Sequence, residues 1–489
     1  MFQNPSAHYH PPMKPELEGP LYQQIANRME EMISTGSLRA GDRIPSVRHL
    51  SLQHRVSVPT VMQAYALLEN RRLIEARPKS GFYVRARLAN ALREPLAARQ
   101  KPSVSSLNGF SSVLSIARDM LDTSLAPLGG AVPGDALLPL EKLAQITSSI
   151  VRRSTKTAVN YDPAPGCLPL RKELSRRSLD WGCSLDADDF LITLGASEAI
   201  HLALLAVTRP GDTVLVEAPT YYGTLNLLAQ MGRKVIAIPC SACDGLDMDS
   251  VRSAVRAHPV AAILVIPNFS NPLGSLMPEA NRRQLLEIAA AHDIPIIEDD
   301  IYGDLPHDGP RPLALKAMDR DDQVILCGSF SKTLAPGFRV GYLAAGKYQQ
   351  RVQELKNVFN LGGPALPALT IAEFLRNGGY DRHLRKLGHT YRQQVCKMRE
   401  AVAEVFPEGT KVSNPSGGFV IWLEMPEGVD VLPVFHEAKA AGISFAPGPL
   451  FSPDGHFQNC LRLSCGFPWS PRMEAAVRTL ADMLRRQMG

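Results

Sequence analysis

The sequence predicts two folded blocks of different class, a small α+β block near the start and a large α/β block with a mainly parallel sheet. Two observations carry this. Apolar residues recur at helical spacing between Leu21 and Leu68 and then give way to a short strand-turn-strand pattern. From Phe190 onward, strand-like apolar runs alternate with helical ones, the signature of a sheet covered on both faces. The 489 residues, 45% apolar and 21% charged, exclude a disordered or collagen-like chain and leave ample length for a buried core.

In the first block Leu21, Ile25, Met29, Met32 and Ile33 line one helix face, and Gly36 stops that helix. Ser46 caps a second short helix carrying Val47, Leu50 and Leu52. Ser57-Val-Pro-Thr opens a third, with Val61, Tyr65, Leu67 and Leu68 on its apolar side. Leu73 to Val84 reads as two strands about a Pro/Ser/Gly turn. Three helices and a hairpin make the winged helix-turn-helix layout. Between residues 39 and 87 there are ten basic side chains against three acidic ones, a local excess of +7 where the whole chain carries +5. Such a face gains affinity for a duplex by releasing counterions. The helix-turn-helix geometry places Ser57, Pro59 and Thr60 at the start of the reading helix, and Arg43, Ser46, Arg48, Arg77 and Lys79 near phosphates. A solvated basic face is the plainer reading of the charge alone.

Pro20-Leu-Tyr-Gln-Gln-Ile-Ala, Gly41-Asp-Arg-Ile-Pro-Ser-Val-Arg, Val56-Ser-Val-Pro-Thr-Val-Met-Gln-Ala-Tyr-Ala-Leu-Leu-Glu and Ser80-Gly-Phe-Tyr-Val together resemble the GntR family of bacterial winged-helix regulators. The chain departs from that pattern at Arg71-Arg72, where a glycine is usual, and at Pro59, where an arginine is common.

The expected organisation is a flexible tail over 1–16, a DNA-binding block over 17–84, a linker over 85–120 with a short helix near Leu88–Ala98, and a large block over 121–489. Within the last, strands are expected at Phe190–Leu194, Thr213–Glu217, Lys234–Ile238, Val260–Pro267, Ile294–Glu298, Gln323–Cys327 and Arg339–Ala344, and a smaller α+β subdomain over 381–489. The eight cysteines are scattered, and Cys240-x-x-Cys243 lacks the second pair a zinc ribbon needs, so no metal is expected. The first 30 residues hold no apolar h-region, and no run reaches the roughly 18 apolar residues of a membrane span, so a cytoplasmic location without membrane contact is expected.

The chemistry centres on Ser329-Phe-Ser-Lys-Thr-Leu-Ala-Pro-Gly-Phe-Arg. S-x-x-K also opens the nucleophile motif of penicillin-binding proteins, but its companions S-D-N and K-T-G are absent. Gly328 is out of frame for a P-loop. A lysine forming a Schiff base with pyridoxal phosphate is the third reading, and the rest of the chain supplies what that cofactor needs. Lys332 is the amine nucleophile. Asp299 closes a strand and would keep the pyridine nitrogen protonated, with Tyr302 and Asn271 for the ring hydroxyl and Tyr221 for the ring face. Gly195, Ala196 and Ser197 form a strand-to-helix turn whose free N–H groups suit a phosphate, assisted by Ser329, Ser331 and Arg339. Each residue alone has an ordinary structural explanation; their joint occurrence at strand ends favours the cofactor.

This order resembles the fold-type I aminotransferases from about Gly130 to the C-terminus. The resemblance implies that Lys332 carries pyridoxal 5'-phosphate, that Arg462 holds a substrate α-carboxylate, and that Tyr161 reaches the phosphate of a neighbouring subunit in a homodimer. The two blocks together resemble the MocR subfamily of transcriptional regulators. That implies a double-stranded DNA operator and a large block sensing pyridoxal phosphate, with an amino acid or amine effector, through an aldimine at Lys332. An active aminotransferase carrying a DNA module, and a pyridoxal phosphate sensor without an amino-acid ligand, are the other readings.

Overall fold

The structure, a computed structural model, describes residues 20–34, 37–38, 41–70, 73–77, 80–84, 92–95, 102–107, 118–119, 122–377 and 379–488. The expected tail over 1–16 and Lys79 lie outside the described residues, as does the side chain of Arg77. The chain divides into two compact units between Ala91 and Leu92.

The first unit holds α1 (Leu21–Ser34), α2 (Val47–His54), α3 (Val58–Asn70) and the antiparallel hairpin of β1 (Ile74–Arg77) and β2 (Gly81–Val84). Its core is a single cluster to which every element contributes: Ile25, Met29 and Ile33 from α1, Leu50 from α2, Val61, Tyr65 and Leu68 from α3, and Ile74 and Val84 from the hairpin. Ser46 caps α2 by accepting the His49 N–H at 3.2 Å. Arg55, at φ 55°, ends that helix in the left-handed region. Buried Tyr65 reconciles its hydroxyl with the core by donating it to the Pro45 carbonyl.

The second unit is built on a sheet whose strands run β3 (Val104–Ser106), β6 (Lys234–Ser241), β5 (Thr213–Ala218), β7 (Val260–Val265), β8 (Ile296–Asp299), β9 (Val324–Ser329), β10 (Gly341–Ala344) and β4 (Phe190–Thr193) in spatial order. Strands β6, β5, β7, β8 and β9 pair in parallel; β10 runs against both its neighbours and β3 against β6. Alternate residues serve opposite faces. Leu215, Ile263 and Ile296 join one core cluster, and Val214, Val216, Leu264 and Ile297 join another. Burial on both faces is why these strands read as unbroken apolar runs.

The expected linker is corrected in two places. Val104–Ser106 is an edge strand of the large sheet, and residues 92–95 are not helical. Leu92 packs on the large core and the Arg93 carbonyl accepts the Val412 N–H at 2.8 Å, while Pro95 lacks the N–H a helix would use.

The smaller subdomain carries an antiparallel sheet ordered β11 (Lys411–Val412), β12 (Val420–Glu424), β14 (Cys460–Ser464) and β13 (Ala446–Pro447). Residues near 126–129 return to it: Ala126 and Pro127 pair with Ile443 and Ser444, and the Leu128 carbonyl accepts the Ser464 N–H at 2.7 Å. Among the described residues no helix is long and apolar enough to cross a membrane.

Candidate functional site

The carboxyl ends of the parallel strands converge on a cleft of about 490 Å³. Ala196, Ser197, Tyr221, Asn271, Asp299, Tyr302, Ser331, Lys332 and Arg339 all line it. Residues distant in sequence meet there because each follows a strand of one sheet, where open α/β sheets place their ligands.

Lys332 donates its Nζ to the Ala131 carbonyl at 2.5 Å. Burial, with the positive charges of Arg462 and Arg339, lowers its pKa to about 8 against the opposing pull of Asp299. The amine is therefore far closer to its neutral, nucleophilic form than a surface lysine is. Asp299 at the end of β8 is buried, and its Oδ1 has no hydrogen-bond partner among the described residues. Burial and the neighbouring Asp300 raise its pKa to about 7. A buried carboxylate oxygen left unmatched at a cleft wall is a costly arrangement, and a cationic N–H donor in the cleft would relieve it. Asp300 itself turns away, accepting from Asn268 Nδ2 at 2.8 Å and pairing with Arg311.

At the other end of the cleft, helix α4 (Ala196–Val207) begins directly after Gly195, with no side-chain cap on its first N–H groups. Gly195 sits at φ +85°, and a Cβ there would come within 2.7 Å of Arg339 Nη2. Arg339 donates to the Leu194 carbonyl at 3.0 Å and to Ser331 Oγ at 3.3 Å. No ion pair is found for it among the described residues. Ser329 is not in the lining; buried behind it, its hydroxyl lies 2.9 Å from that of Ser331. Uncapped N–H groups, a hydroxyl and a guanidinium without a carboxylate make a cradle for a dianion.

Between these ends Tyr221 stands at the start of helix α5 (Tyr222–Gln230), its ring lying across the α5 start so closely that a Cβ added at Gly223 would overlap it. Tyr302 shares a side-chain hydrogen bond with Asn271. The Asn271 Oδ1 in turn accepts from Arg462 Nη1 at 3.2 Å. Arg462, on β14, is fully buried; its Nη2 donates to the Gly129 carbonyl, its Nε has no partner, and no carboxylate pairs with it among the described residues. An unpaired buried guanidinium of this kind calls for an anionic ligand. Tyr161 is 88% exposed and does not line the cleft.

The residues present fit pyridoxal phosphate. A neutralisable amine, an orphaned carboxylate oxygen at the ring-nitrogen end and an anion cradle at the other are what its aldehyde, pyridinium and phosphate need. The sequence reading missed Gly223, the Ala131 and Gly129 carbonyls, and the wall formed by Val132, Asn226 and Gln230. Backbone acceptors carry no side-chain signal; for Gly223 the only clue is a glycine two residues after an aromatic that must lie flat.

In the first unit, Arg43, Arg48 and Pro59 are exposed. Ser57 caps α3, accepting the Thr60 N–H at 3.3 Å, with the two hydroxyls 2.7 Å apart. The Ser46 oxygen is likewise engaged as a cap.

Residues 130–467 match the model of the aminotransferase class I and II family, and residues 21–84 that of bacterial regulatory proteins, gntR family. YjiR, an uncharacterized HTH-type transcriptional regulator of Escherichia coli, is 36% identical, the match covering 96% of this chain and 99% of that one. YdcR, another such regulator from the same organism, is 32% identical with the same coverage. Among solved structures, LysN, the alpha-aminoadipate aminotransferase of Thermus thermophilus, complexed with N-(5'-phosphopyridoxyl)-L-leucine, superposes with a TM-score of 0.72 at 28% identity, covering 76% of this chain and 95% of its own.

Proposed function

Since this chain belongs to the MocR type of GntR-family transcriptional regulators, a helix-turn-helix module joined to an aminotransferase class I and II domain, we propose that it binds operator DNA under the control of pyridoxal phosphate and an amino acid or amine. The observation that carries the reading is that Lys332 and the orphaned Asp299 oxygen line one and the same cleft. When bound, the cofactor supplies an electrophilic carbon and an electron sink. Lys332 would hold it, Asp299 would keep a proton on its ring nitrogen, Tyr221 would cover its ring, and Ser197, Ser331 and Arg339 would take its phosphate. Arg462 would orient the α-carboxylate of an amino acid effector. Such an effector changes DNA affinity only insofar as it prefers one state of the protein. Two copies acting together, with Tyr161 serving the partner's phosphate, complete the proposal.

The retained Asp299 and Arg462 also support a second reading, an active aminotransferase. Mixing pyridoxal phosphate-loaded protein with single amino acids separates the two. Altered affinity for operator DNA without accumulating keto acid supports the regulator. Sustained keto-acid formation with DNA affinity unchanged supports the enzyme and overturns the regulator.

A further inference from the structure

Helix α3 is divided lengthwise. Val61, Ala64, Tyr65 and Leu68 are buried, whereas Val58, Pro59, Met62, Gln63 and Ala66 are exposed. The i, i+4 spacing of the second set makes it one continuous stripe. Val58 and Met62 are 45% and 46% exposed, and the sole charged residue of the helix is Glu69, near its far end. Exposed Arg43, Arg48 and Arg55 precede this stripe in the chain. A partner that suits an apolar stripe on a unit with exposed arginines combines negative charge with apolar groups. Duplex DNA has that combination, with phosphates along the groove rims and thymine 5-methyl groups on the major-groove floor.

Resting on the DNA-reading role proposed above, we propose that α3 recognises A·T pairs: Val58 and Met62 meet thymine methyl groups, and the Gln63 amide pairs with N6 and N7 of an adenine. Bidentate reading of guanine O6 and N7 takes an arginine or lysine, and α3 carries neither. Discrimination on this helix rests on methyl contact and one amide, with the exposed Arg43, Arg48 and Arg55 assigned to the phosphates.

The test is selection by the full-length, pyridoxal phosphate-loaded protein from a randomised duplex pool. Each thymine of the selected site is then replaced by deoxyuridine, which removes only the methyl group. The expected half-sites are rich in A·T pairs, and at one or two positions deoxyuridine weakens binding roughly threefold to fivefold, the worth of one buried methyl group. Met62→Ala abolishes that penalty at one position, and Gln63→Ala lowers the preference for adenine at another by about tenfold. Both side chains are exposed, so neither change threatens the fold. Selection of G·C-rich half-sites, or indifference to deoxyuridine throughout, overturns this inference while leaving the regulator intact. Failure to select any sequence overturns both.

Discussion

Asp299 and Lys332 have ionisation states shifted in opposite directions by one cleft. The carboxyl is pushed up to about 7 and the amine down to about 8, in each case chiefly by burial. For Asp299 the shift has a consequence for stability. Its pKa is raised above the value of 3.8 expected in the unfolded chain, so from about pH 4 to about pH 7 the folded state keeps a proton that the unfolded state releases. Stability contributed by that proton is present at the acid end and lost as pH rises through the folded value. Cofactor-free Asp299→Asn should lack this decline. Against the parent, it should gain on the order of 2–4 kcal/mol across that window, read as a widening difference in melting temperature. Melting curves that stay parallel from pH 4 to pH 7 would refute the assigned state. Bound pyridoxal phosphate should narrow the difference, because a cationic ring nitrogen favours the ionised carboxylate that the variant lacks.

At the scale of elements, the site depends on where helices begin. Tyr221 can lie across the start of α5 only because Gly223 has no side chain. Gly223→Ala should therefore displace the ring and weaken retention of pyridoxal phosphate at least tenfold, measured by dialysis, with the melting temperature of the cofactor-free protein little changed. Unaltered retention would show that Tyr221 does not cover the ring. Asp299, Asn271 and Tyr221 were legible in the sequence, because Asp299 closes an apolar run and the other two stand in the short polar or aromatic segments that follow one, Tyr221 three residues beyond β5 and Asn271 six beyond β7. So was the winged module, whose three helices keep their apolar spacing. Val104–Ser106 was not legible: a three-residue edge strand with two serines offers no apolar alternation, and only pairing with β6 defines it. The Ala131 carbonyl facing Lys332 was equally hidden, because tertiary contacts with Ser444 and Ser464 bring that stretch of backbone to the site.

For the whole molecule, regulation is a coupling free energy between two binding events, and such coupling is reciprocal. If an amino acid changes operator affinity of the loaded protein by some factor, operator DNA must change amino acid affinity by that same factor, and calorimetry in both orders should give equal ratios. Unequal ratios would mean that the two measurements report different sites. Arg462→Met should abolish this coupling for amino acids while leaving operator binding in their absence within about twofold, since the guanidinium is buried far along the chain from the DNA-binding module. The central claim, that Lys332 joins this regulator to pyridoxal phosphate, is tested most directly by borohydride reduction of the loaded full-length protein followed by peptide mass mapping. A phosphopyridoxyl group on the peptide containing Lys332, and on no other, is the predicted result. No label, or a label on a different lysine, would contradict it.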